Sequence, residues 1–323
     1  MRRLMLIGAP RSGTTWLSKL IDANPTVQFL HEPDSLVYTQ AVPPVLHDEV
    51  PDDALLEATR RHVDVLFSVC TLKTLSVAPL FKKSYRNPAQ HATLQAALLA
   101  LRTLEQLKQT RSFSRHYRLP TALTKSGAAP VTLVKSVLAG RARLAALALP
   151  EIQFFLVGRD PRGFVASLRT GARLGRMQLA GLIAFNQLSK SPEAKRRGMT
   201  EKALQALPPV AQLTWSWLML NEQIMRAARA PNTMLISYDR FCLQPESALL
   251  EMIRFADLDM SKEVQRYLAD STAGSEKKSR YFSLKQDPVA ACQRWKQQLT
   301  VAECREIERI VRDTESAHFL VDD

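Results

Sequence analysis

Cysteines are few in this sequence and do not occur in pairs. The four in the 323-residue chain are far apart, at Cys70, Cys242, Cys292 and Cys304, with no Cys-X-X-Cys spacing. This pattern predicts reduced thiols that are buried as small apolar side chains. It argues against a disulfide framework and against a zinc site.

Long apolar segments are missing as well. No stretch of about 18 uncharged apolar residues occurs, so the sequence predicts no membrane span. Met1-Arg2-Arg3 followed by the apolar Leu4–Ile7 imitates a secretion signal. That apolar stretch is too short for a signal and runs directly into Gly8. We therefore expect a cytoplasmic protein.

Positive charge is in excess, with 44 Lys and Arg against 31 Asp and Glu and a formal net charge of +13. Such an excess favours anionic ligands. The basic residues are spread along the chain, without the Lys/Arg block of a nucleic-acid-binding arm or a zinc-finger spacing. No sequence motif thus supports nucleic-acid binding driven by charge alone, and we predict no nucleic-acid partner.

Five short apolar runs have the character of buried parallel strands, and helical patterns separate most of them. The runs are Leu4–Ile7, Val27–Leu30, Val131–Val134, Ile152–Val157 and Thr233–Ile236. This alternation predicts an α/β fold with a P-loop-like, doubly wound, mostly parallel five-stranded sheet and flanking helices. The length fits a single domain, residues 1–323. A helix predicted over 208–230 carries Trp215 and Trp217 on different faces, with one of them expected in the core.

About a hundred residues separate the second and third runs, far more than a crossover connection needs. Within them, Ala54–Val69 and Ala92–Gln109 have helical periodicity. We therefore predict a helical cap insertion at about 40–130 over the open edge of the sheet. Residues 176–206 form a second irregular stretch, polar and basic. Both segments are expected to line the acceptor pocket.

The most informative segment is LMLIGAPRSGTTWL, residues 4–17, where a buried strand runs into a tight loop that opens a helix near Thr14. Backbone N–H groups and the positive end of the helix dipole then converge on one point and form an anion cradle. Gly8 and Gly13 keep the spacing of the nucleoside-triphosphatase loop GxxxxGK[ST]. Thr14 replaces its lysine, however, and the cation is Arg11 within the loop. The loop is predicted to bind a phosphate-like anion without the machinery for ATP hydrolysis.

A second phosphate-binding pattern follows the fourth run, in VGRDPRGFVAS, residues 157–167. Asp160 suits a helix N-cap and Pro161 the first helical turn. Arg159 at the strand end and Ser167 on the helix can hold one phosphate from two sides, with a guanidinium fork and a hydroxyl. Two such sites at adjacent strand ends indicate a ligand that carries two separate anionic groups.

These two segments resemble the binding motifs of sulfotransferases that use 3′-phosphoadenosine-5′-phosphosulfate (PAPS). The arginine in the loop is similar to the carbohydrate and tyrosylprotein branches, here in a soluble bacterial-type form. The resemblance implies a PAPS-dependent sulfotransferase with PAPS as co-substrate. It implies that the phosphosulfate is bound by Arg11, Ser12, Gly13, Thr14, Thr15 and Trp16, and the 3′-phosphate by Arg159 and Ser167.

The resemblance covers essentially the whole chain apart from the insertion and the second irregular stretch. ISYDRF at 236–241 is similar to a family motif at a strand end, and RWKQQL at 294–299 is similar to its late tryptophan motif. The nucleotide contacts that this implies are Tyr238, Ser279, Arg294 and Trp295. Some relatives carry a further 3′-phosphate arginine near Gly171. This chain has Arg169 and Arg173 instead, and the sequence does not decide whether either of them contacts the 3′-phosphate.

Sulfuryl transfer needs a base for the acceptor. We choose Glu32, because it follows the second strand, where open α/β sheets form ligand sites, and because its place resembles that of the family's catalytic glutamate. His31 is the rival base. Only one of the two is expected to face the acceptor, since adjacent residues of an extended chain point to opposite sides. Burial and the phosphosulfate charge are expected to raise the pKa of Glu32.

Transfer also needs positive charge near the leaving oxygen. Lys135 ends the third strand, and the resemblance implies that it acts there together with Arg11. The alternative for Lys135 is an exposed charge at a strand end. The transferred group is monoanionic and no EF-hand or His/Cys ligand spacing occurs, so we predict no metal.

The predicted function is metal-independent, in-line transfer of a sulfuryl group from PAPS to an acceptor hydroxyl on a sugar, a tyrosine or a small natural product. A P-loop kinase or nucleotide hydrolase is the alternative. It is opposed by Thr14 in the lysine position and by the Arg159–Ser167 pair. The acceptor, the choice between oxygen and nitrogen as acceptor atom, and the oligomeric state are left open by the sequence.

Overall fold

The computed structural model describes residues 1–47, 50–108, 117–124, 128–177, 183–274 and 287–321. Five strands form one sheet in the order β2-β3-β1-β4-β5, and every neighbouring pair is parallel. The strands are β1 Arg2–Gly8, β2 Val27–His31, β3 Val131–Ser136, β4 Gln153–Gly158 and β5 Thr233–Ser237. All five predicted strands are therefore confirmed, and so is the parallel α/β sheet.

Helices connect the strands. In the described residues they are α1 Thr14–Asp22, α2 Asp53–Ser68, α3 Leu72–Leu75, α4 Pro88–Lys108, α5 Thr121–Thr124, α6 Ala142–Ala148, α7 Pro161–Arg173, α8 Phe185–Leu188, α9 Pro192–Arg196, α10 Glu201–Gln205, α11 Pro209–Ala227, α12 Tyr238–Leu243, α13 Pro245–Phe255, α14 Lys262–Thr272, α15 Pro288–Gln293 and α16 Val301–Val311. Short 3₁₀ turns lie at Pro33–Ser35, Ala139–Arg141, Arg294–Gln297 and Glu315–Phe319. None of the helices in this part of the chain is both long and apolar enough to cross a membrane.

Both faces of the sheet are covered by helices. In β1, Met5 and Ile7 point into a core formed with α2, α6, α7 and α11, whereas Leu4 and Leu6 point into a second core formed with α1, α13 and α14. Because each strand is buried on both sides, it has a continuous apolar run rather than an alternating pattern. This two-sided burial is the doubly wound arrangement that the sequence predicts.

The core around α11 is larger than expected. Trp215 and Trp217 are both buried, with 4% and 0% of their surface exposed, so the expectation that only one lies in the core is wrong. Residues two positions apart differ by about 200° around a helix, but α11 packs against α6, α7, α16 and β4 and is enclosed on several sides.

The two helices predicted in the insertion are present as α2 and α4. α2 packs against α6 and β3, and α3 packs against β2, the outermost strand on that side of the sheet. The described part of the insertion thus covers the β2 edge and part of one face of the sheet.

Candidate active site

All five strands end at one edge of the sheet, and a cavity of about 650 Å³ opens there. Ligands of open α/β sheets bind at this edge. The predicted site residues in its wall are Arg11, Gly13, Thr14, Thr15, Trp16, His31, Glu32, Lys135, Arg159, Ser167, Tyr238, Arg294 and Trp295. Ser12 lies buried within the loop behind this wall, and Ser279 lies outside the described residues.

The loop after β1 is folded so tightly that it requires glycine at two positions. Gly13 has a φ of 77°, and a Cβ added there would lie 2.0 Å from Cδ2 of Tyr238. A Cβ on Gly8 would come within 2.7 Å of the carbonyl oxygen of Val157. Arg11 also has a positive φ, 71°, which residues with side chains seldom adopt. The loop backbone is therefore held close to β4 and to the Tyr238 ring.

The start of α1 offers hydrogen-bond donors to the cavity. The first N–H groups of a helix have no partner within the helix. The N-cap residue Gly13 has no side chain to cap them, and Thr14 and Thr15 line the cavity. The hydroxyl of Ser12 is buried and has no hydrogen-bond partner. Together with the helix dipole, these groups form a cradle for an anion.

The two predicted phosphate sites touch each other directly. Nε of Arg11 donates to Oγ of Ser167 on α7 at 3.0 Å. Nη1 of Arg159 donates to the backbone oxygen of Arg11 at 2.9 Å. Two guanidinium groups and one hydroxyl, from two separate segments of the chain, therefore lie side by side on one wall of the cavity.

Arg159 is fixed from several directions. Its Nη2 donates to the backbone oxygen of Ala291 at 3.2 Å, and its Cζ lies 5.0 Å from the centroid of the Tyr238 ring. Its own carbonyl oxygen accepts a hydrogen bond from Nε1 of Trp217 at 3.0 Å. Nothing in the sequence marks Trp217 for this role. Nε of Arg159 is buried without a partner, so one donor of a positioned guanidinium is still available.

Asp239 joins the ends of β4 and β5. Its Oδ2 accepts a hydrogen bond from the backbone N–H of Asp160 at 2.6 Å. Asp160 in turn caps α7 by accepting from the backbone N–H of Arg162 at 2.8 Å, and Pro161 occupies the first turn, as predicted. Burial raises the pKa of Asp239 to about 6, against the opposing effect of Arg159. These contacts fix the backbone at the end of β4, directly before and after Arg159.

The ends of β2 and β3 bring three ionisable side chains together. Lys135 is only 2% exposed, which rules out the alternative of an exposed strand-end charge, and its Nζ donates to Oε1 of Glu32. Nε2 of His31 lies 3.6 Å from the same oxygen. Both His31 and Glu32 line the cavity, although adjacent residues of an extended chain point to opposite sides. The reason is the left-handed backbone of Glu32, with φ 47° and ψ 52°, which ends the alternation of the strand.

Burial and charge oppose each other in the pKa values of this cluster. Burial acts to raise the pKa of Glu32, but the ion pair with Lys135 and the nearby His31 outweigh it, and the pKa is lowered. Burial alone therefore does not give the expected upward shift. Burial, followed by the charge of Lys135, lowers the pKa of His31 to about 4. At neutral pH Glu32 is a carboxylate and His31 is an uncharged imidazole.

Asp34 is a further member of this cluster that no sequence signal identified. Its Oδ1 is buried and has no hydrogen-bond partner. Burial raises the pKa of Asp34 to about 6, and the negative charge of Glu32 adds to this effect. By sequence alone it is an ordinary acidic residue in a turn after a proline. In the fold it places a second carboxyl close to Lys135.

Positive charge dominates the wall of the cavity. Among the described lining residues, five side chains are cationic and Glu32 is the one carboxylate; the cations are Arg11, Lys135, Arg159, Arg176 and Arg294. Oγ of Ser12 and Nε of Arg159 are buried close to this wall and have no hydrogen-bond partner. Such a wall suits a ligand with several anionic oxygens.

The aromatic residues of the two motifs pack against their surroundings. Trp16 donates from Nε1 to Oγ of Ser271 at 3.0 Å, and its ring meets that of Tyr238 edge to face at 6.3 Å. The guanidinium carbon of Arg162 lies 4.0 Å from the centroid of the Trp295 ring. Both tryptophans shape the wall of the cavity, and the indole N–H of Trp16 is already used.

Few described residues of the two unassigned segments reach the cavity. The insertion contributes Val77 and Ala78, and the stretch 176–206 contributes Arg176 and Met177. None of the four was identified individually from the sequence. The expectation that both segments line the pocket is thus met only at these points, because the helices of the insertion pack on the edge and face of the sheet.

In the same ranges of the chain, no group of three or more His, Cys, Asp or Glu side chains is arranged as metal ligands.

Comparison with known proteins identifies a family that matches nearly the whole chain. The sulfotransferase domain family matches residues 1–318. No curated protein matches the sequence. Among solved structures, the sulfotransferase domain of the Synechococcus PCC 7002 olefin synthase is similar at 16% identity, over 97% of this chain and 96% of that chain, with a TM-score of 0.47. Sulfotransferase STF9 from Mycobacterium avium is similar at 14% identity, over 97% of this chain and 75% of that chain, with a TM-score of 0.44.

Proposed function

The chain belongs to the sulfotransferase domain family and is a sulfotransferase, and from this premise we propose that it transfers the sulfuryl group of PAPS to an acceptor hydroxyl. The observation that carries the choice of donor is the contact between the two phosphate-binding segments in one cationic cavity. Arg11 touches Ser167, and Arg159 touches the backbone of Arg11. A nucleotide with groups at both its 5′ and 3′ positions uses both segments at once, whereas ATP uses only the loop.

In this proposal the donor is bound by the wall formed by β1, β4 and β5. Arg11, Ser12 and the N–H groups at the start of α1 bind the 5′-phosphosulfate. Arg159 and Ser167 bind the 3′-phosphate, with a fork of donors and a hydroxyl. The remaining nucleotide contacts are assigned to Tyr238, Ser279, Arg294 and Trp295.

The acceptor binds at the ends of β2 and β3, where Glu32 is the general base. Lys135 contacts Oε1 of Glu32, and we assign the acceptor proton to the other oxygen, Oε2. As the acceptor oxygen bonds to sulfur, the bond between sulfur and the bridging oxygen breaks, and adenosine 3′,5′-bisphosphate leaves. Lys135 and Arg11 stabilise the negative charge that develops on that oxygen. No metal takes part in this mechanism.

Binding measurements test the choice of donor. Adenosine 3′,5′-bisphosphate should raise the melting temperature, because it binds only the folded protein, whereas ATP with magnesium should not. A rise with ATP and magnesium alone would contradict the proposal and favour a kinase or hydrolase. A sulfate-transfer screen over sugars, tyrosine peptides and small alcohols, with mass detection, would then identify the acceptor class.

A further inference from the structure

A second, smaller cavity lies beside β2, between α1 and the insertion. Counted as the space in which the centre of a water molecule can lie, the volume of this cavity is about 40 Å³. By this measure one water needs roughly 10–15 Å³, so there is room for a small ion or a few waters. The wall includes Lys19 and Asp22 from α1 and Lys83, Arg86 and His91 from the insertion.

The positive charge in this wall is not balanced. Lys19, Lys83 and Arg86 face Asp22, the one carboxylate among the described lining residues. Both lysines are buried and form ion pairs with Asp22. Burial alone would raise the pKa of Asp22, but the two lysines outweigh it and lower that pKa. One carboxylate therefore faces three basic side chains, of which Lys19 and Lys83 are buried and Arg86 is partly buried. Burial lowers the pKa of Lys83, and a bound anion would oppose that effect by stabilising its charged form.

The protons of the two lysines are already used. Nζ of Lys19 contacts the Asp22 carboxylate and donates to the backbone oxygens of Val77 at 3.2 Å and Pro79 at 2.6 Å. Nζ of Lys83 donates to Oδ1 of Asp22 at 2.8 Å, to its backbone oxygen, and to one further backbone oxygen. An ammonium has three protons. The lysines thus supply charge to the cavity but no free donor.

Three other residues of the wall each have a polar side-chain atom that is buried without a hydrogen-bond partner. These atoms are Oη of Tyr85, Nε of Arg86 and Nδ1 of His91. Buried polar groups are nearly always hydrogen-bonded, so three together in one small cavity point to a missing partner. Nε of Arg86 can only donate, and the other two can donate as well. Burial raises the pKa of Tyr85, so its hydroxyl keeps its proton and remains a donor.

We propose that this cavity binds a small inorganic anion, either a halide or a compact oxyanion such as sulfate or phosphate. Tyr85, Arg86 and His91 donate hydrogen bonds to it, and Lys19 and Lys83 supply the attracting charge. The volume excludes an organic anion of nucleotide size. Val77 lies in the walls of both cavities, so the bound anion holds α1 and the insertion together where they border the active site.

The variant Tyr85→Phe tests this site in solution, because it removes a hydroxyl that has no partner within the protein. Tyr267→Phe is the matched control, since its hydroxyl is also buried and unpartnered but lies outside the wall of this cavity. Chloride, sulfate and phosphate are added at constant ionic strength, with adenosine 3′,5′-bisphosphate present to occupy the larger cavity. At about ten times its Kd, the bound anion should raise the Tm of the wild type and of Tyr267→Phe by about 2 °C or more. Tyr85→Phe should need roughly 10-fold more anion for the same rise. Equal responses of all three proteins would overturn the proposal.

Crystallography locates the anion independently of any assignment of the active site. Crystals soaked in sodium bromide should show an anomalous peak within hydrogen-bond distance of Nε of Arg86 and Oη of Tyr85. Crystals soaked in sodium sulfate should show tetrahedral density there if the site prefers an oxyanion. A cavity that contains only water in both crystals would refute the site, whatever nucleotide the larger cavity binds.

Discussion

Arg159 lies in the cavity wall, and a hydrogen bond from Trp217 fixes its backbone. Its Nε is buried and has no hydrogen-bond partner. We predict that Arg159→Ala weakens the binding of adenosine 3′,5′-bisphosphate by about 1.5–3 kcal/mol, the usual scale for a charged hydrogen bond. The same substitution should reduce the preference for this nucleotide over adenosine 5′-phosphate, as measured by calorimetry. Arg11→Ala should weaken both nucleotides and leave the preference intact. If Arg159→Ala left the preference unchanged, the 3′-phosphate would have to be bound by another residue.

Glu32 and His31 border the same cavity, and substitution separates their roles. In Glu32→Gln the side chain keeps its shape and can still accept the hydrogen bond from Lys135, but it cannot take a proton. Turnover should fall by roughly 100-fold or more, whereas binding of adenosine 3′,5′-bisphosphate should barely change. His31→Gln is the control and should cost much less. A nearly normal rate in Glu32→Gln beside an inactive His31→Gln would assign the base to His31.

The pH dependence of the rate follows from the lowered pKa of Glu32. A carboxyl group whose pKa lies below its ordinary value of 4.5 stays ionised throughout the neutral and mildly acidic range. We therefore expect kcat/KM to be level between about pH 5 and pH 7 and to fall only below about pH 4.5, as Glu32 takes up a proton. An acidic limb with its midpoint near pH 6 would contradict this, and would indicate a group such as Asp34, whose pKa is raised to about 6.

At the scale of elements, the strands were predictable because each is buried on both sides and so has an unbroken apolar run. The observed β4, Gln153–Gly158, differs from the predicted Ile152–Val157 by one residue at each end. The relation between His31 and Glu32 was not predictable. It depends on the left-handed backbone conformation of Glu32, which residues other than glycine seldom adopt. Asp34 and Trp217 were also missed, because their roles come from the packing of distant segments.

The loop that opens α1 depends on glycine at position 13. Gly13→Ala should be more destabilising than Gly198→Ala, although both glycines have a positive φ, 77° and 62°. At Gly198 an added Cβ meets nothing within 4 Å, so its cost is the backbone strain alone, about 1–2 kcal/mol. At Gly13 the Cβ also overlaps the Tyr238 ring, which should add about 1–3 kcal/mol. Denaturant unfolding measures both variants, and equal losses would show that the loop relaxes away from Tyr238.

At the scale of the whole molecule, the net charge of +13 acts on ligands before they reach the cavity. A positive field raises the rate at which an anionic nucleotide arrives, and salt screens this field over about 10 Å at 0.1 M. We predict that the association rate constant of adenosine 3′,5′-bisphosphate falls as salt rises from 20 to 200 mM (about a Debye length of 20 to 7 Å), while the dissociation rate constant changes less. Stopped-flow measurements give both. A salt-independent association rate would mean that only the local contacts matter.

The strand order has a consequence for how the chain matures on the ribosome. β1 pairs with β3 and β4, and β2 enters the sheet only through β3, so β1 has no partner strand until Val131 and the residues after it have been synthesised. Arg159 and Ser167 follow only after β4. A nascent chain that ends before β3 carries the complete phosphate loop, yet it has no sheet to hold that loop in shape. The apolar β1 must therefore stay shielded from aggregation until β3 has emerged, and the proposed nucleotide site is complete only once Arg159 and Ser167 have been synthesised.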